Sequence, residues 1–243
     1  MPKLAQKEKM AGFALVTGAT QPMGEAIAYA LAADGYDVAL PFGSTEDLAK
    51  IEVLLESIQK DFSVKAGAIS ADIYQPQMCE QLVQSAKELF DLPPAVLVNA
   101  HIFSPRKPFA KETPENLAEA VEKNIYSVMD LSRYVLPDMQ EQGFGTIINL
   151  ITTEAFGVFE AETATASSCM RAIAGFSKML ALDYGPRNVR VNCIAVSLDE
   201  DAEQTPLGAK AAPEDVARLC AYMVESPMMT AQVVQYDGGQ ARM

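Results

Sequence analysis

Short apolar runs alternate along the chain with longer amphipathic segments. The runs have the length and bounding residues of strands, and the longer segments repeat apolar residues at helical spacing. This alternation is typical of a parallel sheet covered by helices on both faces. The predicted strands are Phe13–Thr17, Asp37–Leu40, Val64–Ile69, Ala95–Asn99, Thr146–Ile151, Val189–Val196 and Val233–Tyr236. The predicted helices are Glu25–Asp34, Thr45–Lys60, Gln77–Phe90, Pro114–Gln142 with an interruption near Pro137, Ala164–Tyr184 and Pro213–Glu225.

The pattern indicates one α/β domain over residues 1–243. The run Ala95–Asn99 is continuously apolar, as in a central strand that is buried on both faces. A chain of 243 residues that is 49% hydrophobic has a core of the size that one such domain needs. No linker, repeat or low-complexity tract divides the sequence. We therefore expect a Rossmann-like, doubly wound parallel sheet of about seven strands.

Composition excludes several classes of function. The net charge of -13 argues against nucleic acid and anionic membranes as partners. Residues 1–10 lack the apolar core of a signal peptide, and no window has the roughly 18 apolar residues of a membrane span. The four cysteines are widely spaced, which favours buried reduced thiols over a metal site or disulfides. We expect a soluble cytoplasmic protein without a metal.

A glycine loop follows the first strand and opens the first helix. Gly18 and Gly24 stand where a tight turn and a helix N-terminus would face phosphates. Pro22 lies between them, and its ring removes a backbone donor. With this loop, a set of residues resembles the short-chain dehydrogenase/reductase (SDR) family in order and spacing. The set comprises Thr17-Gly18-Ala19, Asp72, Asn99-Ala100, Asn124 and Arg190-Val191-Asn192.

The resemblance implies a nucleotide site with several losses. Gly18, Gly24, Asp72 and Asn99 match cofactor-binding positions of the family, with Asp72 at the aspartate that bonds adenine. The departures from the family pattern are Pro22 for the middle glycine, His101 for the glycine of Asn-Ala-Gly, Pro41-Phe42-Gly43 after the second strand and Val196-Ser197 for Pro-Gly. His101 is expected to pack in or fill the groove, the alternative being a general base. No cofactor is expected, and any binding of NAD or NADP is expected to be weak.

The catalytic positions implied by the resemblance are largely replaced. Asn124 matches the asparagine, and Thr152 or Thr153 stands at the serine position. Ala166 and Met170 stand where the family has its tyrosine acid and the lysine that lowers the tyrosine pKa. In an alternative register these positions read Thr165 and Cys169. Neither register supplies an acid beside a cation.

The resemblance implies that the helices used for subunit assembly are present, whereas the residues and the lid of the catalytic site are not. The segment Leu198–Ala212 is shorter than the usual substrate lid. The helices from Pro114 and Ala164 match the pair that joins subunits in the family. Small residues permit close helix approach, namely Ala164, Ala166, Ala172, Ala174, Gly175 and Ala181.

The chain therefore resembles a degenerate, non-catalytic SDR. We expect a subunit of a hetero-oligomer, a tetramer, that stabilises or shapes an active paralogous subunit, with a hydroxyacyl-CoA or ketoacyl dehydrogenase as the candidate activity. The alternative assembly is a homo-oligomer. The precedents are heteromeric ketoacyl reductases and the inactive subunit of (hydroxyphenylmethyl)succinyl-CoA dehydrogenase.

Two other functions stay open. One is an enzyme with altered chemistry that does not depend on tyrosine and lysine. Its candidate residues are His101, Thr152, Thr153, Glu154, Glu160, Glu162 and Arg171. The other is a nucleotide-binding sensor that uses Gly18, Gly24 and Asp72.

Overall fold

Seven strands form one parallel sheet. The computed structural model describes residues 12–156, 161–197 and 205–240. Along the sheet the strands follow the order β3-β2-β1-β4-β5-β6-β7, and every neighbouring pair is parallel. The strands are β1 Phe13–Thr17, β2 Asp37–Phe42, β3 Ala66–Ser70, β4 Pro94–Asn99, β5 Gly145–Thr152, β6 Val189–Val196 and β7 Val233–Tyr236.

Helices cover both faces of the sheet, so the predicted doubly wound fold is confirmed. The helices are α1 Pro22–Ala33, α2 Thr45–Asp61, α3 Pro76–Phe90, α4 Pro114–Val121, α5 Ser127–Gln142, α6 Ala164–Tyr184 and α7 Pro213–Glu225. One apolar cluster joins α1, α2 and α7 to the sheet, and a second joins α3, α5 and α6. Each face of the sheet therefore has its own core.

The long helical segment after β4 is irregular, but not at the residue that the sequence indicated. The interruption expected near Pro137 was wrong, because α5 runs through this residue. Pro137 lies on the exposed side of α5, where water can bond the carbonyl that the missing N–H leaves free. The irregularity is instead a single π-helical turn, Glu122–Tyr126, which joins α4 to α5 and contains the buried Asn124. Such turns are frequent at functional sites.

The strand order places the candidate site. Strands β2 and β4 lie on opposite sides of β1, so the loops that follow β1 and β4 diverge and leave a crevice. In open parallel sheets, ligands bind in this crevice at the carboxyl ends of the strands. The loop before α1, His101 and the residues after β5 all lie at this edge.

Candidate functional site

The two glycines of the loop after β1 are required by the packing of the chain itself. Gly18 has a φ of +68°, and a Cβ there would lie 2.8 Å from the backbone of Ala100 and His101. A Cβ on Gly24 would lie 2.2 Å from the carbonyl oxygen of Gly18. Both contacts are closer than carbon atoms tolerate, so neither position can carry a side chain. These glycines are explained without any bound phosphate.

Pro22 begins α1 and is exposed. A proline is compatible with this position because the first N–H groups of a helix have no partner within it. The residue before it, Gln21, caps the helix without a side-chain hydrogen bond. The first turn therefore presents one N–H group fewer to an anion than an intact glycine loop would.

His101 is a buried bridge between β1, β4 and α5. Its Nδ1 lies 2.7 Å from Oγ1 of Thr17, and its Nε2 lies 2.8 Å from Oγ of Ser127. The Thr17 oxygen also accepts the N–H of Ala100, and Ser127 donates to the carbonyl of Lys123. These bonds assign the proton to Nε2, so that Thr17 donates to Nδ1. Burial lowers the pKa of His101 to about 4, so the ring is neutral near pH 7.

A cleft of about 120 Å³ lies beside His101 at the ends of β1, β2 and β3. Its walls include Gly18, Phe42, Asp47, Asp72 and Tyr74. One oxygen of Asp72 accepts the N–H of Tyr74, and the Tyr74 ring meets the His101 ring edge to face at 5.8 Å. The cleft thus has an aromatic wall and two carboxylates. Sequence reasoning found Asp72 but missed Asp47 and Tyr74, since only the fold brings α2 and the turn after β3 to this point.

Asn124 is fully occupied by the backbone around it. Its Oδ1 accepts the N–H of Phe103 at 3.1 Å, and its Nδ2 donates to the carbonyls of Phe103 and Ala120. The side chain thereby fastens the loop after β4 to the π-helical turn. This is a structural role that needs no substrate.

A buried carboxylate lies beside the threonine that ends β5. Oε2 of Glu154 accepts a hydrogen bond from Oγ1 of Thr152 at 3.0 Å and a weaker one from Oγ of Ser104 at 3.4 Å. Glu154 is only 8% exposed. Ser167 and Arg171 of α6 donate to the carbonyls of Glu154 and Ala155 and hold this turn in place. Thr153 is also buried but forms no part of this cluster.

The positions matched to the tyrosine and the lysine are both buried, and the second lies in an apolar cluster. Ala166 has no exposed surface and Met170 is 1% exposed. Met170 packs with Val128, Ile151 and Ile173 in the small cluster between α6 and the sheet. In the alternative register, Cys169 lies against the carbonyl of Ala120, and burial raises the pKa of its thiol.

The remaining candidates are dispersed. Asn99 donates to Asn149, which donates to Ser177, so Asn99 belongs to a buried polar ladder. Val196 ends β6 with no exposed surface. Glu162 is exposed and holds a φ of 69°, and its carbonyl accepts the N–H of Lys107. Glu160 and the first part of the expected short lid, residues 198–204, lie outside the described residues.

Neither a metal-binding cluster nor a membrane-spanning helix occurs among the described residues. Residues 12–156, 161–197 and 205–240 contain no grouping of three or more histidine, cysteine, aspartate or glutamate side chains suited to a metal ion. The helices in the same ranges include none with the length and apolar character needed to cross a bilayer.

Comparison with known proteins gives the family. A family model described as enoyl-(acyl carrier protein) reductase matches residues 18–241. A tropinone reductase homolog of Arabidopsis thaliana is 28% identical, with 93% of this chain and 90% of the relative covered. The 3-oxoacyl-[acyl-carrier-protein] reductase FabG of Aquifex aeolicus is 27% identical, with 93% of this chain and 95% of the relative covered. An acetoacetyl-CoA reductase of Shinella zoogloeoides is 26% identical, with 95% and 99% covered.

A solved structure agrees with these relatives. A dehydrogenase/reductase from Sinorhizobium meliloti superposes with a TM-score of 0.86 at 25% identity and covers 95% of both chains. The chain therefore belongs to the short-chain dehydrogenase/reductase family, a family of oxidoreductases.

Around the phosphates, the described residues do not fit a nicotinamide dinucleotide, the usual cofactor of this family. Beside Asp72, the cleft carries a second carboxylate, Asp47, and none of the described lysines or arginines lines it. His101 stands at the inner end of the groove with both ring nitrogens engaged. Pro22 removes a phosphate donor from α1.

Proposed function

We propose that this chain is a non-catalytic subunit of a hetero-oligomeric SDR complex, in which it stabilises an active paralogous subunit. The observation that carries the proposal is the burial of Ala166 and Met170, the second within an apolar cluster, where neither side chain can act as an acid or a cation. An acid and an adjacent cation are what the family's proton transfer requires at these positions. Loss of a positioned acid costs about 10²–10⁴-fold in rate.

The outer face of α6 supports a role in assembly. Five exposed positions follow one another at spacings of four and three residues and so lie along one stripe of the helix. These positions are Ser168, Ala172, Gly175, Met179 and Leu182. A Cβ on Gly175 would contact nothing within 4 Å, so packing inside this chain does not explain the glycine. A second helix that approaches this stripe closely would explain it.

Charge favours a related chain over a second copy as the partner. Each copy carries a net charge of -13, so copies of this chain repel one another. A paralogue with lower negative charge would assemble with less repulsion and would bring its own acid and cofactor site. The four buried, unpaired cysteines suit a reducing compartment, and we propose that this compartment is the cytoplasm.

Native mass spectrometry of the complex from its source cells tests the proposal. We expect a hetero-oligomer with an SDR chain that carries the tyrosine and lysine, and we expect activity to disappear when that tyrosine is changed. Ala166→Gly in this chain should leave activity unchanged. A stable homo-oligomer that binds no related chain on co-expression would contradict the proposal.

The Glu154 cluster favours a second candidate function, proton transfer without a nucleotide. Oε2 of Glu154 is held by Thr152 and Ser104, whereas Oε1 accepts no hydrogen bond from any described residue. A positioned carboxylate with one free oxygen can remove a proton from an acidic carbon. The relatives named above include reductases of 3-oxoacyl and acetoacetyl thioesters, whose α-carbon is acidic.

Hydrogen exchange in heavy water tests this second candidate. Acetoacetyl-CoA is incubated with the purified chain in D₂O, and deuterium at the α-carbon is followed by NMR. Glu154→Gln should reduce the exchange rate at least tenfold, while Glu141→Gln, the same change at an exposed position of α5, should leave it unaltered. Equal rates for the wild type, Glu154→Gln and buffer alone would eliminate this function.

A further inference from the structure

Two side chains of α6 hold the short turn that carries Glu154. The turn, Thr153–Phe156, is one short helical turn directly after β5. Oγ of Ser167 donates to the carbonyl of Glu154, and Nε of Arg171 donates to the carbonyl of Ala155, each at 3.0 Å. The two donors are four residues apart, so they lie on one face of α6. Two consecutive peptide groups of the turn are therefore bonded to the same stretch of helix.

These bonds complement the ones on the carboxylate. Oε2 of Glu154 accepts from Thr152 at 3.0 Å and from Ser104 at 3.4 Å, which holds the far end of the side chain. A glutamate side chain rotates about three bonds, so contacts at Oε2 alone leave the other oxygen able to move when the backbone shifts. Ser167 and Arg171 limit that movement, because they bond the backbone of the turn. Glu154 is thus held at both ends.

The pair that holds the turn stands beside the two replaced positions. Ser167 follows Ala166 and Arg171 follows Met170, so each donor lies one residue after a position matched to the family's tyrosine or lysine. One residue turns a side chain by about 100° around the helix axis. Ala166 and Met170 are accordingly buried, whereas Ser167 is half-buried and Arg171 is exposed. The helix thereby holds a carboxylate on the neighbouring turn, while its own two replaced positions carry neither acid nor cation.

We propose that Ser167 and Arg171 are positioning residues for proton transfer by Glu154. The proposal rests on the second candidate function and deepens it. In that reaction Oε1 takes the proton from the α-carbon, the C–H electron pair passes into the enolate, and the carboxyl group returns a deuteron gained from D₂O, so nothing is oxidised or reduced. Ser167 and Arg171 act only through the backbone of the turn. A displacement of about 1 Å in a positioned group costs on the order of 10²-fold in rate.

Exchange kinetics of the purified full-length chain with acetoacetyl-CoA in D₂O test the proposal. Ser167→Ala and Arg171→Met should each lower kcat for exchange by about tenfold or more and change KM by less than about threefold, because the base is displaced while substrate binding is retained. Ser167→Thr keeps the hydroxyl and should keep about half or more of the wild-type kcat. Equal losses in Ser167→Thr and Ser167→Ala, or a rise in KM with kcat unchanged, would overturn the proposal.

Two matched controls carry the same changes elsewhere. Ser57 is half-buried on α2 and donates to the carbonyl of Val53 in its own helix, and Arg187 is exposed in the turn after α6. Ser57→Ala and Arg187→Met should leave both kcat and KM unaltered. Losses of kcat in these controls as large as those in Ser167→Ala and Arg171→Met would refute the positioning role.

Carbon-13 NMR of a chain with labelled glutamate carboxyl groups separates this proposal from the function on which it rests. The signal of Glu154 is assigned by its absence in Glu154→Gln. It should move in Ser167→Ala and Arg171→Met but stay in place in the two controls. An unmoved signal would refute the positioning role whatever the activity. Wild-type exchange no faster than in buffer would refute proton transfer by Glu154, and a moved signal would still show that the pair positions its carboxylate.

Discussion

At the scale of single residues, His101 gives the sharpest expectation because it is the only histidine in the chain. Burial lowers its pKa to about 4 in the folded protein, against about 6.5 in an unfolded chain. The unfolded state thus binds a proton between these pH values and the folded state does not. The stabilising effect of the neutral ring is complete above the unfolded pKa and is lost as the pH falls toward 4.

The expected loss of stability from His101 between pH 7.5 and pH 5 is about 2 kcal/mol. Urea unfolding at the two pH values measures this loss. Because His101→Asn cannot titrate at this position, the loss in this variant should be smaller by about 2 kcal/mol. The imidazole signal in the NMR spectrum can be assigned without ambiguity and should titrate near pH 4. A titration between pH 6 and pH 7 would show that the ring is exposed and is not held between Thr17 and Ser127.

At the scale of elements, the buried face of α6 carries an apolar side chain, Met170, at the position matched to the family lysine. Met170→Lys restores the family residue but places an ammonium where Val128, Ile151 and Ile173 surround the side chain. An uncompensated buried charge is strongly destabilising, so we expect a loss of about 3 kcal/mol in the free energy of unfolding.

A control fixes the interpretation of Met170→Lys. Met228 is 92% exposed, and Met228→Lys should change stability by no more than about 0.5 kcal/mol. Urea denaturation of both variants gives the comparison. If Met170→Lys were as stable as the wild type, the position would still accommodate the lysine, and the case for a lost site would fail.

The secondary-structure elements also show how much of the fold can be predicted from the sequence. Hydrophobic periodicity predicted α6, α7, β6 and β7 to the residue, because each has an apolar face that matches its period. It misplaced the break after β4, since a π-helical turn changes hydrogen bonding without changing the apolar pattern around Asn124. Ser127 and Ser104 are distant in sequence from His101 and Glu154, to which they are hydrogen-bonded, so only the folded chain brings them together.

At the scale of the whole molecule, one glycine is required by packing inside the chain, and another is attributed to assembly with a second subunit. Position 24 must be a glycine, because a Cβ on Gly24 would lie 2.2 Å from the carbonyl oxygen of Gly18. A Cβ on Gly175 would contact nothing within 4 Å. Glycine within a helix costs about 1 kcal/mol relative to alanine, a cost that Gly175 imposes on the isolated chain without return. A contact with another subunit is the compensation that the proposed hetero-oligomer supplies.

Gly175→Ala should therefore act in opposite directions on the chain and on its complex. We expect the free energy of unfolding of the isolated chain to rise by about 1 kcal/mol, because alanine is the better helix former and its methyl group meets no obstacle. In the complex, the same methyl group would push apart two closely packed helices. The dissociation constant of the complex, measured by native mass spectrometry, should therefore rise at least tenfold. Gly24→Ala provides the contrast, with a large loss of stability in the isolated chain. If Gly175→Ala left dissociation unchanged, the partner would have to bind another face than α6.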